Sequence, residues 1–163
     1  MAGVEWTYAI LRKAIAPCQK HWVDPVTQYP VMMTPANQLV GAHAAVKNYR
    51  KAYPEDYGRI VGKSGKTERL AWESHHIVEG QDLKFLRSMG VDIPDYEVCP
   101  AVLIPPEAHR NRVSRTLPRG KDRLLADLDS YAEAYNHIGN YCGGGSKAIK
   151  EELMSICRAI IIV

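Results

Sequence analysis

The chain has 163 residues, 46% of them hydrophobic, with a formal net charge of +3 and a pI near 8.6. That length fits one domain able to bury a core, and the mildly basic balance is compatible with a polyanionic partner. No run approaches the ~18 apolar residues that a membrane-crossing helix needs, so no membrane insertion is expected. The four cysteines, Cys18, Cys99, Cys142 and Cys157, form no C-x-x-C pair, which argues against a zinc knuckle. Free buried thiols suit their scatter, and a Cys142–Cys157 bridge stays open. Met1-Ala2-Gly3-Val4-Glu5-Trp6 carries an early acid and no long apolar core, so no cleavable signal peptide is expected at this end.

Residues 4–16 read as a helix: Trp6, Ile10, Leu11 and Ile15 fall near helical spacing and Pro17 stops it. Pro17, Pro25 and Pro30 then predict a loop over residues 17–33 containing His21 and Trp22. Thr34-Pro35 predicts a second helix, capped by Thr34 and running to about Lys51. Its inward stripe would be Leu39, Ala42, Val46, Tyr49 and Tyr53, with His43, Lys47, Arg50 and Lys51 on a basic outer face. Gly62-Lys63-Ser64-Gly65-Lys66-Thr67 is not a P-loop, because the first required glycine position holds Ile60. It reads as a basic turn.

The next stretch, Trp72-Glu73-Ser74-His75-His76-Ile77-Val78, reads as the end of a strand. Adjacent strand residues point to opposite faces, so His75 and His76 cannot do the same job. Gln81 to Met89 predict a short helix with Leu83 and Leu86 inward and Gly90 as its C-cap. Val91 to Val98 read as a loop in which Asp92 and Asp95 serve as caps or turn residues. Ala101-Val102-Leu103-Ile104 reads as a second strand. Pro105-Pro106-Glu107-Ala108-His109-Arg110 reads as a helix start that puts His109 in its first turn. Arg110, Arg112, Arg115, Arg119, Lys121 and Arg123 follow, opposed only by Asp122. A cluster of one sign beside a candidate site is the footprint of a phosphodiester backbone. Two helices close the chain. One covers about 121–138 and ends at Gly139-Asn140; the other starts at Ser146, with Ile149, Leu153, Ile156 and Ile160 inward.

Glu73-Ser74-His75-His76-Ile77, Gly90-Val91-Asp92-Ile93, Leu103-Ile104-Pro105 and His109, in that order, resemble the HNH (His-Me finger) endonuclease superfamily. The nearest resemblance is to the His-His toxin domains of bacterial polymorphic toxins, and it covers about residues 67–116. It implies an α+β fold: a small ββα-metal core over 67–116, a helical N-terminal part over 1–60, and C-terminal helices over 121–163, together one nuclease domain. It also implies that His75 is a metal ligand, His76 the general base and His109 the second ligand. Arg110 and Arg112 would lie near the scissile phosphate, and Arg115, Arg119, Lys121 and Arg123 would bind nucleic acid, on charge and position. Pro100 stands where family members often have an Asn that orients the base, which leaves a backbone carbonyl for that task. Val113 stands where some members have a third histidine ligand. Two imidazoles plus waters favour a loosely held Mg²⁺ or Mn²⁺, with Zn²⁺ or Ni²⁺ also able to bind. Glu73 and Glu79 flank the pair.

The expected activity is therefore metal-dependent hydrolysis of DNA by an antibacterial toxin. By resemblance, such a toxin is secreted into a target cell and neutralised in its producer by a cognate immunity protein. The rivals are an RNase acting through His76 and the arginines, a nucleic-acid- or protein-binding module whose histidines are structural, and a structural zinc site built from His75, His109 and a cysteine such as Cys99.

Overall fold

A five-stranded antiparallel sheet organises the protein, its strands lying side by side in the order Gln19–Val23, Pro30–Met33, Leu39–Ala42, Pro100–Ile104, Glu73–His76. The computed structural model describes residues 3–57, 60–61, 67–68, 72–78, 80–104 and 146–161. The sheet strands are β1 (Gln19–Val23), β2 (Pro30–Met33), β3 (Leu39–Ala42), β6 (Glu73–His76) and β7 (Pro100–Ile104), and β4 (Ile60–Val61) pairs with β5 (Thr67–Glu68) in a separate ribbon. The helices are α1 (Val4–Ala14), α2 (His43–Ala52), α3 (Pro54–Tyr57), α4 (Gly80–Ser88) and α5 (Ser146–Ile161), with a 3-10 turn at Tyr96–Val98. The class is mixed α+β, as expected. Among the described residues no helix is long and apolar enough to cross a membrane.

The N-terminal part departs from the expected helix-loop-helix. Residues 17–33 hold two strands, because each proline sits where a strand tolerates it. Pro17 precedes β1, Pro25 lies in the β1–β2 turn and Pro30 is the first residue of β2. Leu39 and Ala42 belong to β3, and the helix begins only at His43. Thr34 caps no helix. Its hydroxyl accepts from the Gln38 amide at 3.0 Å inside the β2–β3 turn, where Asn37 takes the left-handed φ of 61°. The same hydroxyl donates to Glu152 of α5 at 2.5 Å, and the other Glu152 oxygen accepts from the Ala36 amide at 2.9 Å. The C-terminal helix is thereby tied to the first hairpins.

Other expected elements are present. Strands β6 and β7, helix α4 and helix α5 lie where the periodicity puts them, and Gly90 takes a φ of 91° after α4. Ile149, Leu153, Ile156 and Ile160 are all fully buried. Every residue of β3 and β7 is buried. Successive strand residues face opposite ways, so both sides of the sheet centre are covered. Gly41 in β3 is needed for close approach: a Cβ there would lie 2.9 Å from the Pro30 carbonyl oxygen and 3.3 Å from the Tyr8 hydroxyl. That hydroxyl donates to the Pro30 carbonyl and accepts from the Ala42 amide, which locks α1 onto the hairpin.

Asp24 ties the β1–β2 turn to α2. Its buried carboxylate accepts from the Val26 and Thr27 amides, the Thr27 hydroxyl and the Asn48 side chain, at 2.6 to 3.3 Å. Burial pushes this carboxyl up, but those hydrogen bonds outweigh it and hold the group below its ordinary value. Asp24→Ala strands several donors at once and is expected to lower unfolding free energy by about 2–4 kcal/mol. Urea melts of the variant against the parent chain check this, and a loss under about 0.5 kcal/mol would contradict it.

Candidate active site

The site is built on β6. Its register against β7 pairs Glu73 with Ile104, Ser74 with Leu103, His75 with Val102 and His76 with Ala101. The strand alternation gives the two histidines different surroundings. His75 is buried at 6% exposure, on the face it shares with Val102, Val40 and Met32 through successive cross-strand pairs. Ser74 and His76 occupy the opposite, half-buried face, under the start of α2.

Three interactions hold α2 against this face. The His43 amide donates to the Cys99 carbonyl at 3.0 Å, pinning the helix start to the head of β7. Further along, Arg50 donates to the Trp72 carbonyl at 2.6 Å, just before β6 begins. Lys47 bridges to Glu97 in the 3-10 turn at 2.7 Å; the pair is largely exposed and adds little stability. The aromatic rings of Trp22, Tyr49, Tyr57 and Trp72 continue the contact along the helix.

His43 reaches from the first turn of α2 to both functional groups of β6. Its ring stacks on His76 with centroids 4.0 Å apart and planes 25° apart. Its Nδ1 lies 2.8 Å from the Ser74 hydroxyl, which also sits 3.4 Å from the His43 carbonyl oxygen as a donor. Burial pushes the His43 imidazole down, the His76, Lys47 and Arg50 charges push it further, and Glu97 opposes them; the result is a pKa of about 4. The positive end of the α2 dipole works in the same direction. His43 is therefore neutral at physiological pH.

His76 is anchored on its other side. Its Nε2 lies 2.7 Å from the Tyr96 carbonyl oxygen. A carbonyl only accepts, so Nε2 carries the proton, and in the neutral ring Nδ1 keeps its lone pair. A backbone carbonyl thus takes the orienting role that Pro100 cannot fill. The carbonyl sits in a braced loop: Arg87 donates to the Ile93 and Pro94 carbonyls at 3.2 and 2.7 Å and lies 4.8 Å from the Tyr96 ring centre. Asp95 accepts from the Glu97 amide at 2.9 Å, the capping role expected of it.

No protein-family model, curated protein or solved structure matches the chain. Of the expected site residues, the structure describes His75 and His76. His109, Arg110, Arg112, Arg115, Arg119, Lys121 and Arg123 lie outside the described residues, as do Glu79 and the expected helix over 121–138. Among the described residues no group of three or more His, Cys, Asp or Glu side chains could hold a metal ion. The Cys99 thiol donates to the Pro94 carbonyl at 3.6 Å, and burial pushes it up to about 12. His43 is the site residue that sequence reasoning missed. Read as part of a basic helical face, it is instead the first residue of a helix that starts eight residues later than expected.

The depressed His43 pKa has a consequence for stability. The unfolded chain takes up a proton at this residue near its ordinary value of 6.5, whereas the folded chain resists until about 4. The stability that neutral His43 contributes is complete above about 6.5 and declines as pH falls from there toward 4. Between pH 7 and pH 4.5, the wild-type unfolding free energy should fall by about 1–2 kcal/mol more than that of His43→Phe. Parallel pH-dependent melts of the two proteins measure the difference, and identical slopes would contradict the burial of a neutral imidazole here.

Proposed function

We propose that this chain is a metal-dependent endonuclease of the HNH (His-Me finger) type that hydrolyses DNA, with His76 as the general base. The observation that carries the reading is the His76 ring: one nitrogen is committed to the Tyr96 carbonyl, and the other is left as a proton acceptor. Its neighbour His75 is turned to the opposite face of the same strand. This division of labour is the one the resemblance assigns to the pair, and the antiparallel β6–β7 pairing is compatible with the first two elements of a ββα-metal core. The toxin context, delivery into a target cell and an immunity partner are carried by the resemblance alone.

In this reading, His76 Nδ1 takes a proton from a water as the water oxygen attacks phosphorus. The bond to the leaving oxygen breaks, that oxygen is protonated from solvent, and His76 returns its proton to bulk water. A divalent ion held by His75 and His109, Mg²⁺ or Mn²⁺ before Zn²⁺ or Ni²⁺, would supply charge stabilisation at the phosphoryl group. Arg110 and Arg112 would add positive charge at the phosphate, and Arg115, Arg119, Lys121 and Arg123 would track the backbone.

The stacked histidines do not favour a metal-free RNase that uses two imidazoles as acid and base. Such a pair must bracket the phosphate with one ring protonated. Here the rings lie face to face and His43 stays neutral.

Plasmid cleavage tests the reading. Wild-type protein with Mg²⁺ or Mn²⁺ should nick and linearise DNA, and EDTA should abolish this. His76→Ala should lower the rate by about 10²–10⁴-fold, the usual contribution of a general base. Cleavage of RNA but not DNA, unaffected by EDTA, would replace this reading with the RNase. Folded protein inactive on both would remove the nuclease.

A further inference from the structure

We infer that His43 is a positioning residue: its ring, tied to Ser74 and stacked on His76, holds the His76 imidazole in the single orientation that leaves Nδ1 as the proton acceptor. The catalytic part of this inference rests on the nuclease reading; the positioning itself does not.

A lone hydrogen bond does not fix an imidazole. The torsion that turns the ring about its bond to Cβ is soft and roughly two-fold. The contact from Nε2 to the Tyr96 carbonyl, 2.7 Å long, holds one corner of the ring but leaves its plane free to swing, and a ring that swings off the carbonyl loses the acceptor that fixes its tautomer. A planar wall at 4.0 Å and 25° removes that freedom. The wall must itself be rigid, and His43 is held from two directions. Its amide is bonded to the Cys99 carbonyl, and its Nδ1 meets the Ser74 hydroxyl.

Ser74 is two residues before His76 and so shares its strand face. The His43 ring therefore spans two groups whose spacing β6 sets: one edge meets Ser74 and one face meets His76. The Tyr96 carbonyl and the His43 ring hold His76 from different sides. Ring nitrogens carry their protons and lone pairs in the ring plane, so two stacked imidazoles do not pass a proton between their faces. This geometry suits His43 to orienting His76 and not to exchanging protons with it.

The test uses the full chain with two readouts. Long-range proton–nitrogen spectra of the histidine rings report which nitrogen of His76 carries the proton. In the wild type they should show one tautomer, protonated at Nε2. In His43→Ala they should show a mixture, and in His43→Phe, which restores a flat wall, a single tautomer again. In plasmid cleavage with Mn²⁺, His43→Ala should lower kcat by about 10–100-fold with KM within about two-fold of wild type, the pattern of a misplaced base. His43→Phe should recover most of that loss. Ser74→Ala frees the wall without removing it and should fall between the two; it stands in for His43→Ala if that variant does not fold.

A single unchanged tautomer in His43→Ala, with wild-type kcat, would overturn the inference. So would a His43→Phe variant whose tautomers are as mixed as those of His43→Ala. If the wild type cleaves no nucleic acid, the nuclease reading fails, and the tautomer spectra alone decide whether His43 positions His76.

Discussion

The register of β6 on β7 is the constraint on which the site depends. β7 is buried along its whole length and pairs with β3 on one side and β6 on the other. Because side chains alternate with a period of two, a slip of one residue would exchange the environments of His75 and His76. The burial of Ala101, Val102, Leu103 and Ile104 opposes that slip. So does the ladder bond from the Ile77 amide to the Pro100 carbonyl at 3.0 Å, which extends the pairing past the histidines.

Around that register, each side of the His76 ring is met by a different part of the chain. The Tyr96 carbonyl comes from the loop before β7 and is braced by Arg87 of α4. The His43 ring comes from the start of α2, which is pinned to the same end of β7. Cross-strand from His76 stands Ala101, a small side chain that leaves the face open to α2. The pieces that orient His76 therefore converge on the head of β7 from residues more than fifty positions apart. This is how a half-buried imidazole can be held without a side-chain orienting partner at position 100.

Much of this was legible in the sequence where local signals and tertiary context agree. β7 is a short apolar run between prolines, β6 is a polar stretch flanked by Trp72 and Ile77-Val78, α5 keeps a strict helical stripe, and Gly90 stands where a helix must stop. The N-terminal half was misread because prolines mark both loops and strand ends. Gln19-Lys20-His21-Trp22-Val23 is polar enough at an edge to pass for a loop, and Thr34-Pro35 serves hairpins as readily as helix starts. Placing the start of α2 eight residues too early hid His43, which stands at the head of that helix against Ser74 and His76 of β6. The spacing of Ser74 and His76 on one face was readable, but nothing local indicates which helix covers it. The second expected ligand, His109, and the arginine run lie outside the described residues, so the proposed metal site rests on the resemblance.

The most direct test of the account is an anomalous difference map from crystals grown with Mn²⁺ and a short DNA duplex. A manganese peak is expected within coordination distance of the His75 and His109 imidazoles. His76 should lie on the other strand face, with Nε2 on the Tyr96 carbonyl and Nδ1 toward a water beside a phosphate. A map with no manganese peak beside the His75 ring, or a His76 Nδ1 buried against protein, would contradict it.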